Sequence, residues 1–201
     1  MTATPGDPFS SASGPSARER SPAPTGMRPP EIVAAMPKLW IGYLLAAATF
    51  IGETIAVSRN PDLLKSTGFI VPPLEIFLPA FVARAYWFVC IYRYHKILAA
   101  IPGYTHPVSA AKAVGFHFIP VFQLFWIFSW PSAIGDFVNT RLRAPVMRGW
   151  VVGVGILTAT LCQALLDAGF GVALLFLATG YLAGFLKRAL AMPTEEATPQ
   201  P

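Results

Sequence analysis

From residue 39 onward the chain alternates long apolar runs with short clusters of proline, glycine and charge. The first run, 39–57, has 19 residues and one charged side chain, Glu53. At about 1.5 Å per helical residue it reaches across a hydrocarbon core about 30 Å thick. Lys38, Trp40 and Tyr43 are suited to the interface at its start, and Arg59-Asn60-Pro61 ends it. The second run, about 74–92, follows Pro72-Pro73, contains Pro79 and Arg84, and can continue to Ala100 before Pro102-Gly103 stops it. The fourth and fifth runs, about 150–166 and 170–186, are separated only by Asp167-Ala168-Gly169 and therefore form an antiparallel hairpin. Gly149/Gly153 and Gly180/Gly184 lie at the hairpin's open end, at small-xxx-small spacing that lets two backbones approach closely.

The third run, 113–130, differs from the others. Pro120 divides it, Pro131 is expected to close it, and seven aromatics lie between Phe116 and Trp130. Tryptophan concentrates at the headgroup level, so this run reads as interfacial or re-entrant. The positive-inside rule separates the two topologies. If all five runs cross, the basic residues flanking them divide almost evenly. If the third does not cross, Arg28, Lys38, Arg93, Lys96, Lys112, Arg141, Arg143, Arg148, Lys187 and Arg188 share the cytoplasmic side, against Arg59 and Lys65 outside. The expectation is therefore an all-α membrane protein: a four-transmembrane-helix bundle with a Pro-broken aromatic segment, the alternative being five transmembrane helices. Both termini are then cytoplasmic.

Residues 1–36 are rich in Pro, Ser, Ala and Thr and poor in large apolar side chains, so they read as a disordered cytoplasmic tail. The transmembrane bundle is expected over 37–190 and a short flexible tail over 191–201. Ala46-Ala47-Ala48 resembles a signal-peptidase site, but the region before Lys38 is too long and polar for a signal peptide.

Composition agrees with this class. Of 201 residues, 54% are hydrophobic and 12% charged, about half the charge of a soluble domain. The net charge of +5 sits at the ends of apolar runs, which fits membrane orientation and not nucleic-acid binding.

Arg84 is the most informative polar residue. It lies near the middle of the second run, where an arginine is costly and usually faces a partner inside the bundle. Glu53 is the nearest candidate by depth, and a Glu53–Arg84 ion pair is expected. Cys90 and Cys162 lie in apolar runs and read as small buried hydrophobes. His95, His106 and His117 recur every eleven residues, but Pro102-Gly103 and Pro107 interrupt any shared helix face. No zinc-helix motif accompanies them, so neither metal nor cofactor is expected. Gln123, Asp136 and Asn139 are suited to satisfying backbone groups freed around Pro120 or to capping the helix end. No nucleophile elbow, phosphate loop or dinucleotide fingerprint is present, and the chain does not read as an enzyme.

Residues 92–139 carry a further pattern: Tyr92-Arg93-Tyr94-His95-Lys96, then Pro107, Ala113-Val114-Gly115-Phe116, Phe118-Ile119-Pro120, Phe122, Leu124, Trp126-Ile127-Phe128 and Asn139. This segment resembles a family of bacterial multi-pass membrane proteins of unknown function. It departs from the family at His95, where tryptophan is frequent, and at Gln123, where asparagine is frequent. The resemblance implies a bacterial cytoplasmic membrane and carries no activity.

The reading that follows is a non-enzymatic scaffold or accessory subunit. Its basic cytoplasmic face, formed by Arg93, Lys96, Arg141, Arg143, Arg148, Lys187 and Arg188, would meet anionic lipid, a membrane protein partner or a second copy. The alternative is a small transporter or channel built on Arg84, Glu53 and the broken segment around Pro120.

Overall fold

A computed structural model describes residues 29–65, 72–101 and 104–192. Every regular element among them is helical: α1 (Pro29–Ala34), α2 (Leu39–Arg59), α3 (Leu74–Ala99), α4 (Ala110–Gly115), α5 (Phe122–Leu142), α6 (Gly149–Leu165) and α7 (Ala168–Ala191). Short 3-10 turns follow α2 at Pro61–Lys65 and α4 at Phe116–Phe118. Three helices, α2, α3 and α7, are long and apolar enough to cross a membrane, and α6 is a shorter apolar helix of 17 residues. Of the expected N-terminal tail, 1–28 lies outside the described residues, whereas Pro29–Ala34 is helical and rests on α7. The expected C-terminal tail lies outside them from 193 onward.

Polar contacts near the helix ends fix the directions. The Tyr86 hydroxyl donates to the Lys38 carbonyl at 2.8 Å, and Arg59 pairs with Glu75 at 2.8 Å near the other end, so α2 and α3 are antiparallel. The Tyr43 hydroxyl donates to the Phe176 carbonyl at 3.3 Å, and Glu53 meets the start of α7, so α2 and α7 are antiparallel as well. α6 and α7 form the hairpin that the turn at Asp167 predicts, with the Asp167 carboxylate accepting from the Phe170 amide at 2.5 Å. The starts of α2 and α6 and the ends of α3 and α7 therefore share one end of the bundle. Trp87, Trp130, Tyr94 and Phe176 fill its interior.

The third run does break at Pro120. The chain leaves the 3-10 turn, passes Val121 at φ 65°, and restarts as α5. The two limbs then lie side by side: the Trp126 indole donates to the Ala113 carbonyl at 2.8 Å, and Phe116 contacts both Phe122 and Trp126. Their outer ends open toward the ends of α3 and α7. Tyr104 meets Phe137 with ring centroids 4.7 Å apart, and Arg141 donates to the Met192 carbonyl at 3.1 Å.

Pro131 does not close the run, contrary to expectation. α5 continues through it to Leu142. A proline inside a helix removes one amide donor. Here α6 packs along the α5 backbone on both sides of that position, which holds the helix together. The same packing corrects the expectation for the glycines. Gly149 and Gly153 face α5 and not α7: a Cβ on Gly149 would collide with the Pro131–Ser132 backbone, and one on Gly153 would sit 2.9 Å from the Ile127 carbonyl oxygen. Gly180 faces Tyr43 of α2, and Gly184 has nothing within 4 Å. By the α5–α6 register, Phe122 is level with about residue 159 of α6, short of its far end.

Candidate functional site

Glu53 and Arg84 are not brought together. The Glu53 carboxylate accepts from the Ala168 amide at 2.6 Å and from the Gly169 amide at 3.0 Å. It thereby satisfies two of the amide donors that the first turn of a helix leaves without internal partners, at the positive end of the α7 dipole. Arg84 instead donates to the Gln163 side-chain oxygen on α6 and lies over the Trp87 ring, 5.4 Å from its centroid. The reason is angular. Tyr86 faces α2, and two residues along a helix turn about 200°, so Arg84 points away from α2. Depth along the run suggested the pair, but the helix face decides against it. Gln163, the one amide in the fourth run, was the signal that sequence reasoning passed over.

Arg84 also lies one turn before Phe88 on α3, on the same face. The Phe88 ring meets Phe118 at 5.0 Å and His117 at 5.6 Å, so Arg84 sits just past the tip of the α4–α5 hairpin. The tip is apolar and open: Phe118 and Val121 are 67% and 82% exposed, as is Phe81 at 60% one turn before Arg84.

The histidines gather along α3 and the hairpin. His95 Nδ1 and His106 Nε2 are 2.6 Å apart. His117 Nδ1 lies 3.0 Å from the Ala113 carbonyl, so it carries the proton and Nε2 is the acceptor in the neutral ring. The Trp130 indole stands between His95 and His117, at 6.0 and 6.4 Å. Trp87 donates to the Thr179 hydroxyl at 2.9 Å, which ties α3 to α7. Among the described residues, no group of three or more His, Cys, Asp or Glu side chains is placed to hold a metal ion. Burial holds the His106 imidazole below its ordinary value of 6.5. Burial, with Asp136 adding to it, pushes the Tyr104 phenol up. Cys90 and Cys162 are both buried and free.

The seven basic residues of the expected face all lie at the end shared by the starts of α2 and α6. Arg93, Lys96, Arg143, Arg148, Lys187 and Arg188 are exposed, and Arg141 is half-buried. Arg188 lies over the Phe185 ring at 5.5 Å. At that end Asn139 braces the α5–α6 loop, donating to the Met147 carbonyl at 2.8 Å and accepting from the Met147 amide at 2.9 Å. Two open clefts on the sides of the bundle are almost wholly apolar. One of about 330 Å³ lies between α2 and α7 at Ala46, Phe50 and Ala173, and one of about 280 Å³ between α6 and α7 at Val151, Gly155 and Ala178. Neither contains a carboxylate, imidazole or thiol.

Fold and site together define a class: an all-helical protein whose long apolar helices suit a membrane, with one strongly basic end. No family model, curated protein or solved structure matches the chain.

Proposed function

We propose that the chain is a multi-pass protein of a bacterial cytoplasmic membrane in which α2, α3, α6 and α7 cross and α4–α5 forms a re-entrant hairpin from the cytoplasmic side. It acts as a non-enzymatic scaffold or accessory subunit. The observation that carries this is the convergence of Arg93, Lys96, Arg141, Arg143, Arg148, Lys187 and Arg188 at one end, six of them exposed, while the bundle's Glu53, Thr179 and Asn139 are held in contacts within the chain. Such a face attracts anionic headgroups by about 1 kcal/mol per basic side chain near the surface. The two almost wholly apolar side clefts offer no catalytic group. The resemblance over 92–139 supports the bacterial setting. The test is mass spectrometry of what stays bound after mild-detergent extraction from the native membrane. A stoichiometric protein partner or retained anionic phospholipid, lost when Arg143, Arg148, Lys187 and Arg188 are replaced by Gln, is the expected result. Retention unchanged by those replacements would reject the basic face as the contact.

A second reading, a small transporter or channel, is favoured by one feature: the broken hairpin ends beside Arg84 and Gln163. Transport that is abolished by Gln163→Leu in a protein that still folds would move the assignment there.

A further inference from the structure

The geometry points to Arg84 as the contact for an acidic side chain on a transmembrane helix of a partner protein. The inference rests on the accessory-subunit reading and adds to it the place and chemistry of one contact. Among the described residues the guanidinium meets an amide oxygen and an aromatic face but no carboxylate, whereas Arg59 is paired with Glu75. The chain's own membrane-embedded acid, Glu53, already holds the start of α7. A second copy therefore brings no free carboxylate at this depth. Arg84 is ten residues into α3, about 15 Å from its start. Lipid phosphates stay at the headgroup level. A helix, by contrast, can present Asp or Glu at any depth its sequence sets, and a desolvated cation there favours an anion strongly.

The surroundings match such an occupant. The hairpin's ring contacts on α3 run from His95 down to Phe88 and Trp87, next to Arg84. Past its tip the same face of α3 carries exposed Phe77 and Phe81, with Arg84 between Phe81 and Phe88, and the tip itself presents exposed Phe118 and Val121. Phe77 and Phe81 stack at 5.8 Å and present one surface. This is an apolar seat with a single cation, and it selects a helix carrying one acid.

The test places a photo-crosslinking amino acid at Phe81 in the full chain, expressed in its native membrane. The expected adduct maps to an apolar membrane helix of a different protein, at a segment containing Asp or Glu. Arg84→Gln lowers its yield about tenfold or more, the scale of one lost charge contact, while Arg84→Lys keeps most of it. Exchanging the charges, Arg84→Glu with the partner acid changed to Lys, restores it. Where Arg84→Gln fails to accumulate, neutralising the partner's acid alone must lower the yield equally. Adducts to lipid only, to a second copy only, or to a partner helix at a yield indifferent to Arg84→Gln overturn the inference. A second crosslinker at Arg143 separates the two readings: partner capture there that survives loss of the Phe81 adduct leaves the basic-face assignment standing.

Discussion

His95 Nδ1 and His106 Nε2 lie 2.6 Å apart, so the segment leading into the α4–α5 hairpin is fastened to the end of α3 by two imidazoles. Such a contact needs at least one ring nitrogen unprotonated, because two imidazolium groups have only donors to offer each other. His95 from α3 and Tyr104 from the same loop face His106, and neither supplies a negative charge.

Acid is therefore expected to loosen this fastening. Burial depresses the folded-state value of His106 below 6.5. The folded protein then binds fewer protons than the unfolded chain between the two values. The contribution is fully present above about pH 6.5 and is lost as pH falls through the depressed value. Thermal unfolding in detergent should show a lower Tm at pH 5 than at pH 7.5, with the difference reduced in His106→Asn. An equal acid shift in the variant would show that His106 is not the group responsible.

The Glu53 cap makes a second expectation. Its two carboxylate oxygens serve two amides, so Glu53→Gln leaves one amide unserved and Glu53→Ala leaves both. Losses of about 1 kcal/mol for Gln and about 2 kcal/mol for Ala follow from the usual cost of a lost helix cap. Because Glu53 does not touch Arg84, the double variant Glu53→Ala/Arg84→Ala should be additive within about 0.5 kcal/mol. A strong coupling between them would restore the ion pair that the helix faces argue against.

Much of this architecture was legible in the sequence, and the exceptions have a common cause. The starts of α2 and α3, the tight α6–α7 turn at Asp167 and the break at Pro120 follow from runs and breakers, which are local signals. Depth along a run is local too, and it placed Arg84 correctly near the middle of α3. Which face a residue turns to a neighbour is not local. Glu53 went to α7, Arg84 to Gln163, and Gly149 and Gly153 to α5, each decided by how the helices lie against one another. Pro131 misled for the same reason, since packing by α6 carries α5 through a residue that ends helices in isolation.

The glycine contacts supply an internal control. Gly153→Leu drives a side chain into the Ile127–Phe128 backbone and should cost about 2 kcal/mol or more, read as lost membrane accumulation or a lower Tm. Gly184→Ala meets open space and should change stability by no more than about 0.5 kcal/mol, despite sitting in a motif of the same spacing. Equal sensitivity at both positions would mean that the spacing matters and the α5 contact does not.

The hairpin itself makes the last expectation. Val121 has φ 65°, a conformation that a β-branched residue adopts at a cost of about 1–2 kcal/mol, and it is the most exposed apolar side chain at the tip. Val121→Gly should relieve that strain and leave stability equal or higher, because glycine adopts this backbone conformation without steric cost. Depth is tested separately. In a protein whose native cysteines are replaced by Ala, a single cysteine at Ser109 or Arg143 should react with an impermeant maleimide from the cytoplasmic side. One at Val121 should be shielded from both sides, because the tip stops within the bundle's apolar length. If the cysteine at 143 reacts only from outside, α4–α5 crosses the membrane. The basic end then loses its common side, and the scaffold reading built on it fails with the topology.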